Sequence, residues 1–162
     1  MIVVADASPL VALALCENLE VLEQLFGNIK VSRSVYEEVT VSNKPKADIL
    51  KAYLQEKVVN TDLDALVISG TSLDKGELTS IALYKYLKAD YLLIDERAGR
   101  KVAKLNGINI IGTLGVLIEA KRKGFFPSIK PQINTLRSSR IYFAQNLLDH
   151  ALRMVGESCH QE

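Results

Sequence analysis

Two stretches of this chain each run four apolar residues into an aspartate: Ile2-Val3-Val4-Ala5-Asp6 and Tyr91-Leu92-Leu93-Ile94-Asp95. Neither alternates apolar with polar, so neither reads as a strand with one wet face. Short unbroken apolar runs belong to strands covered on both sides, as in a parallel sheet between two layers of helices. In such sheets the residues just past the carboxyl ends of the strands line the functional crevice. Two carboxylates at one sheet edge are costly to bury unless they are solvated, paired or held by a cation. A plainer role, capping the next helix, is weaker for Asp6, because Ser8 followed by Pro9 already fits the cap and the first helical position.

The rest of the chain repeats the alternation of strand and helix. A first helix is predicted to continue through residue 15 and a second over residues 18–26, ended by Gly27-Asn28. Residues 29–31 form the next strand, and Ser32 or Ser34 caps a helix through Val39. Another helix follows over residues 45–55, and residues 57–60 are a weak strand. Residues 61–71 fit no template, and Ser69-Gly70-Thr71-Ser72 reads as a loop. Helical spacing returns over residues 73–87 and 96–106, where Gly107 stops it. Residues 108–111 are a strand, Thr113 caps a helix through Lys123, and the pattern is helical again from Lys130. There Ile141, Ala144, Leu148, Ala151, Leu152 and Val155 make one apolar stripe that should be buried. This order predicts a three-layer α/β/α fold with a central parallel sheet and a C-terminal helical extension.

Composition narrows the function. A chain of 162 residues with 48% hydrophobic and 24% charged residues is one globular domain rather than a disordered segment. No apolar run approaches the ~20 residues of a membrane span, and the N-terminus lacks the basic stretch of a signal peptide. Cys16 and Cys159 fit neither a disulfide framework nor a metal-binding pair, which points to a reducing cytosol. The only histidines, His150 and His160, leave no basis for a histidine-ligated zinc site or a Ser-His triad.

Further acids can join Asp6 and Asp95. Glu37-Glu38 follows the second strand, and Asp74-Lys75-Gly76-Glu77 opens a helix, where acids also suit the dipole. Carboxylates converging without histidine or cysteine select Mg²⁺ or Mn²⁺ over zinc, and their mutual repulsion raises at least one pKa. Charge is also segregated: residues 1–96 carry nine basic and fifteen acidic residues, whereas residues 97–140 carry ten basic residues and Glu119 alone. Arg97, Arg100, Lys101 and Lys104 fall on one stripe of a helix, as a polyanion grip would. Lys121-Arg122-Lys123 fits either a second grip or simple complementarity to a helix dipole. No aromatic platform for stacking bases is evident. A receiver-like phosphoacceptor wants an acidic pair after the first strand, and a haloacid-dehalogenase site wants a second aspartate two positions after the first; Asp6-Ala7-Ser8 supplies neither.

Five segments in order, Val4-Ala5-Asp6-Ala7-Ser8-Pro9-Leu10, Val35-Tyr36-Glu37-Glu38-Val39, Asp74-Lys75-Gly76-Glu77, Leu92-Leu93-Ile94-Asp95-Glu96-Arg97 and Ile111-Gly112-Thr113-Leu114-Gly115-Val116-Leu117, resemble a PIN domain of the VapC-related branch. The resemblance covers about residues 2–125, which divides the chain into a PIN domain over 1–125 and a helical extension over 126–162. It implies a Mg²⁺- or Mn²⁺-dependent endoribonuclease whose catalytic, metal-binding quartet is Asp6, Glu38, Glu77 and Asp95. Ser8 and Thr113 would support the site, and Arg97, Arg100, Lys101 and Lys104 would bind RNA. Many relatives carry aspartate where Glu77 stands, so Asp74 is a possible substitute. The resemblance further implies a homodimer and an antitoxin partner, as in a toxin–antitoxin pair. The alternative is a PIN-fold nucleic-acid-binding or protein-interaction module without catalysis.

Overall fold

The computed structural model describes residues 1–63 and 73–158. The loop read at residues 69–72, together with Cys159 and His160, lies outside the described residues. Five strands, β1 (Ile2–Ala5), β2 (Asn28–Ser32), β3 (Val58–Val59), β4 (Tyr91–Leu93) and β5 (Ile110–Ile111), pair in parallel in the order β3-β2-β1-β4-β5. Chain order runs outward from β1 to β3 and then restarts at β4 on the other side of β1. The switch point of the sheet therefore falls between β1 and β4, the two strands that end in Asp6 and Asp95.

Helices cover both faces. They are α1 (Ala7–Leu15), α2 (Val21–Phe26), α3 (Arg33–Thr40), α4 (Ala47–Leu54), α5 (Lys75–Leu87), α6 (Arg97–Leu105), α7 (Thr113–Arg122), α8 (Lys130–Ser138) and α9 (Gln145–Met154). The pleat sends alternate side chains of one strand to opposite layers. Val3 and Ala5 join Leu10 and Leu13 of α1 and Val116 and Leu117 of α7, while Val4 joins Ile81 and Leu83 of α5 and Ala103 of α6. That two-sided burial is why the strands read as unbroken apolar runs. The architecture is a three-layer α/β/α arrangement with a five-stranded parallel sheet and added C-terminal helices. Among the described residues no helix is long and apolar enough to cross a membrane.

Two caps differ from expectation. Helix α1 begins at Ala7 with Asp6, not Ser8, in the cap position, and Asp6 makes no side-chain cap bond. Pro9 is tolerated in that first turn because its missing N–H would have had no partner within the helix. Likewise Gly112, not Thr113, precedes α7, which leaves the Thr113 hydroxyl for another partner. Ser32 does cap α3, accepting the Val35 N–H at 3.1 Å. The predicted second helix is shorter, starting at Val21.

The C-terminal helices share the main core. Ile133 and Leu136 of α8 and Leu148, Ala151 and Leu152 of α9 belong to the same buried cluster as Val3 and Ala5. The stripe is not one helix, however: residues 141–144 are non-helical and α9 starts at Gln145. Glu157 fastens the end by accepting the Ile129 N–H and the Lys121 ammonium, each at 2.9 Å, and the Ser128 hydroxyl. Burial alone would raise its pKa, but these bonds outweigh that and lower it to about 2. Leu148→Ala should lower the unfolding free energy by about 3 kcal/mol, as other buried leucine truncations do. Chemical denaturation measures this, and an unchanged midpoint would show that the extension does not share the core.

Candidate functional site at the carboxyl edge of the sheet

Asp6 and Asp95 meet the edge at different depths. The Asp6 backbone N–H still belongs to the sheet, donating to Leu93 O at 2.9 Å, so the side chain emerges between β1 and β4. It is only 4% exposed. The hydroxyl that reaches it is Ser80 of α5, which donates to Oδ1 at 3.2 Å; Ser8 is exposed. Helix α5 is held over this edge by the buried hydroxyls of Ser32 and Thr79, 2.9 Å apart.

The start of α5 is a reciprocal cap. The Glu77 N–H donates to Asp74 Oδ1 at 2.8 Å, and the Asp74 N–H donates to Glu77 Oε2 at 3.1 Å. Asp74 and Glu77 are thus parts of one hydrogen-bonded unit. Gly76 between them leaves room for Glu38 of α3: a Cβ there would lie 3.0 Å from Glu38 Oε2 and 3.3 Å from Asp74 Oδ1. Glu37 faces away, paired with Arg33 at 3.4 Å on the exposed side of α3.

The titration of these groups reflects that crowding. Asp6 is raised to about 6, first by burial and then by the charges of Asp74 and Glu38, against the lowering effect of bonds from Ala7 and Ser80. Glu77 is raised to about 7, again first by burial, with Asp74, Glu96 and Asp6 adding to it. Glu38, whose side chain is exposed, moves up through partial desolvation and the charge of Asp74, with Lys44 opposing. Desolvation leads in every case, so the raised values owe more to it than to the repulsion expected from the sequence.

Asp95 stands apart. Burial raises its pKa, but the groups facing it are Thr113 and Arg100 rather than other acids. Its two oxygens accept the Thr113 N–H at 2.8 Å and the Thr113 hydroxyl at 2.5 Å. Arg100 reaches back from α6 to Ile94 O at 2.9 Å, and Gly112 keeps the space open, since a Cβ there would fall 2.7 Å from the guanidinium and 2.9 Å from Asp95 Oδ1. The structure therefore groups Asp6, Glu38 and Glu77 about Asp74, and points Asp95 into the start of α7. Sequence reasoning missed Ser80, whose signal was its position three residues after Glu77 on one helix face. It also missed the charge of Glu96, which caps α6 by accepting the Gly99 N–H at 2.8 Å.

Beyond Asp95 and Glu96 a groove of about 1040 Å³ opens between α6 and the segment leading into α9. Arg97, Lys101 and Lys104 line one wall and are exposed, and Leu105, Leu114, Tyr142, Phe143 and Leu147 line the rest. Contrary to the sequence reading, an aromatic surface does adjoin the cations: Tyr142 is 87% exposed.

A parallel α/β protein with buried acids at the switch point and a basic groove beside them is the class that fold and site define. The chain matches the family described as DUF3368, PIN domain, over residues 2–157, and so belongs to the PIN-domain family. No curated protein and no solved structure matches it. Nuclease activity is common among PIN domains, and metal dependence is known among them. The all-oxygen donors here suit a hard cation in type. In arrangement they do not: among the described residues no three carboxylate, histidine or cysteine groups are placed to share one ion, and Asp95 is already engaged by Thr113.

Because Asp6 and Glu77 hold protons that the unfolded chain releases near pH 4, stability should fall as pH rises from about 4 through about 6 and 7. Asp6→Asn keeps the shape and removes the charge. It should flatten that slope and raise stability at neutral pH by up to about 3 kcal/mol. Denaturation midpoints across this range measure both effects, and parallel curves for the two proteins would contradict the burial of Asp6.

Proposed function

We propose that this PIN domain is a nucleic-acid-binding module that holds RNA along the groove beside α6. The observation that carries this reading is the wall formed by Arg97, Lys101 and Lys104, exposed and without an ion pair among the described residues. Arg100 supports the wall from within through Ile94 O. Unpaired cations on a rigid helix suit phosphates, which position a strand without specifying its sequence. A second reading, a Mg²⁺- or Mn²⁺-dependent endoribonuclease using Asp6, Glu38, Glu77 and Asp95, is favoured by one observation. The groove ends at Asp95 and Glu96, and Glu96 is close enough to Glu77 to raise its pKa, so a bound strand would pass beside buried acids.

Binding of an unstructured RNA oligomer, measured with a chelator present, tests the first reading. The chelated protein should bind, and Lys101→Ala with Lys104→Ala should lower the slope of log affinity against log salt by about 0.7 for each lost phosphate contact. An unchanged slope would place the binding surface elsewhere. Cleavage that appears with Mn²⁺ and is lost in Glu77→Gln would establish the second reading; binding without cleavage leaves the module.

A further inference from the structure

We propose that Tyr142 is a stacking platform for one unpaired base of the strand whose phosphates lie on α6. The proposal rests on the nucleic-acid reading above and assigns a residue of the C-terminal extension to it. Residues 141–144 are non-helical, and their side chains divide. Ile141 and Phe143 pack partly buried against the main core, whereas Tyr142 between them is 87% exposed. Its two neighbours therefore hold the backbone in place while its ring stands out on the floor of the groove. Leu105 and Leu147 beside it are also exposed, at 78% and 51%.

A large aromatic ring left in water amid other exposed apolar side chains marks a contact surface. Its neighbours decide which kind. The facing wall carries Arg97, Lys101 and Lys104, so the occupant is an anion with apolar faces. A second copy of the chain meets that requirement poorly, because a two-fold contact brings each patch against itself and sets cations against cations. Single-stranded nucleic acid meets it on both counts. Each nucleotide offers one phosphate and one π-face, and base–aromatic stacking tolerates any sequence. The cations from Arg97 to Lys104 span roughly 10 Å along α6 at 1.5 Å per residue, enough for successive phosphates with a base turned inward. The same groove begins at Asp95 and Glu96, so a base seated on Tyr142 would fix the register in which the strand meets the acidic edge.

The test compares Tyr142→Leu, Tyr142→Phe and Tyr142→Trp in the full chain with a short unstructured RNA of mixed sequence. Since Tyr142 is exposed, all three should melt like the wild type. Tyr142→Leu should weaken binding roughly five- to a hundredfold, as loss of one base stack does, while leaving the salt slope unchanged because no phosphate contact is lost. Tyr142→Phe should bind as wild type. The chain contains no tryptophan, so Tyr142→Trp gives a single reporter whose fluorescence should be quenched on RNA binding. Wild-type affinity in Tyr142→Leu, with weakened binding in Lys101→Ala, would overturn the platform while leaving the nucleic-acid reading intact. Unquenched Tyr142→Trp at saturating RNA would overturn it too. No RNA binding by the wild type would remove both the reading and the platform. A wild-type dimer abolished by Tyr142→Leu, with RNA affinity unchanged, would overturn the platform and assign the groove to self-association.

Discussion

The reversal of strand order between β1 and β4 is the constraint on which the rest depends. A parallel sheet needs helices on both faces, and where successive connections diverge they leave a crevice at the carboxyl edge, over which α5 is held. Asp6 sits at that edge with its backbone bonded to β4 through Leu93 O at 2.9 Å. The fold therefore places a carboxylate where the sheet fixes its backbone and the surrounding helices exclude most water. Its pKa of about 6 is the consequence. Every other acid is brought in by an element that leans on the same edge: Glu38 by α3, and Asp74 with Glu77 by the cap of α5.

Asp95 links this edge to the basic groove. Its bonds to Thr113 fix the start of α7, and Arg100 closes on Ile94 O from α6. The glycine at position 112 permits that approach. One face of α6 is thus tied to the sheet through Arg100, and the remaining cations, Arg97, Lys101 and Lys104, project into the groove. A rigid helix with cations in fixed positions is better suited to gripping a strand than the same charges on a loop. The segregated charge of the sequence and the geometry of the fold meet at this helix.

The strands were legible because burial on both faces leaves an unbroken apolar run, and β1 and β4 needed no other signal. Glycine, serine and acidic caps marked most helix boundaries within a few residues. The details at the site were not legible, for a physical reason: side chains at helix starts have several possible partners, and only tertiary contact selects one. Ser8 looked like the cap of α1, yet the backbone already turns at Asp6. Thr113 looked like a cap and instead bonds Asp95 across eighteen residues of chain. Ser80 carried only a weak local mark, its place three residues after Glu77 on one helix face, because its partner Asp6 is distant in sequence. Tyr142 was hidden by the apolar stripe around it, since Ile141 and Ala144 match helical spacing although the backbone there is not helical. The positions of the acids' oxygens, with Asp95 turned to Thr113, came only from the fold.

Photo-crosslinking of thiouridine-substituted RNA, followed by identification of the modified peptides, tests most directly the claim that one groove joins the basic helix, the extension and the acidic edge. The account predicts crosslinks in two peptides distant in sequence, one within residues 97–104 and one within residues 141–147, and their joint loss when Arg97, Lys101 and Lys104 are replaced by alanine. Crosslinks confined to Lys121, Arg122 and Lys123 at the end of α7, unaffected by those replacements, would contradict it.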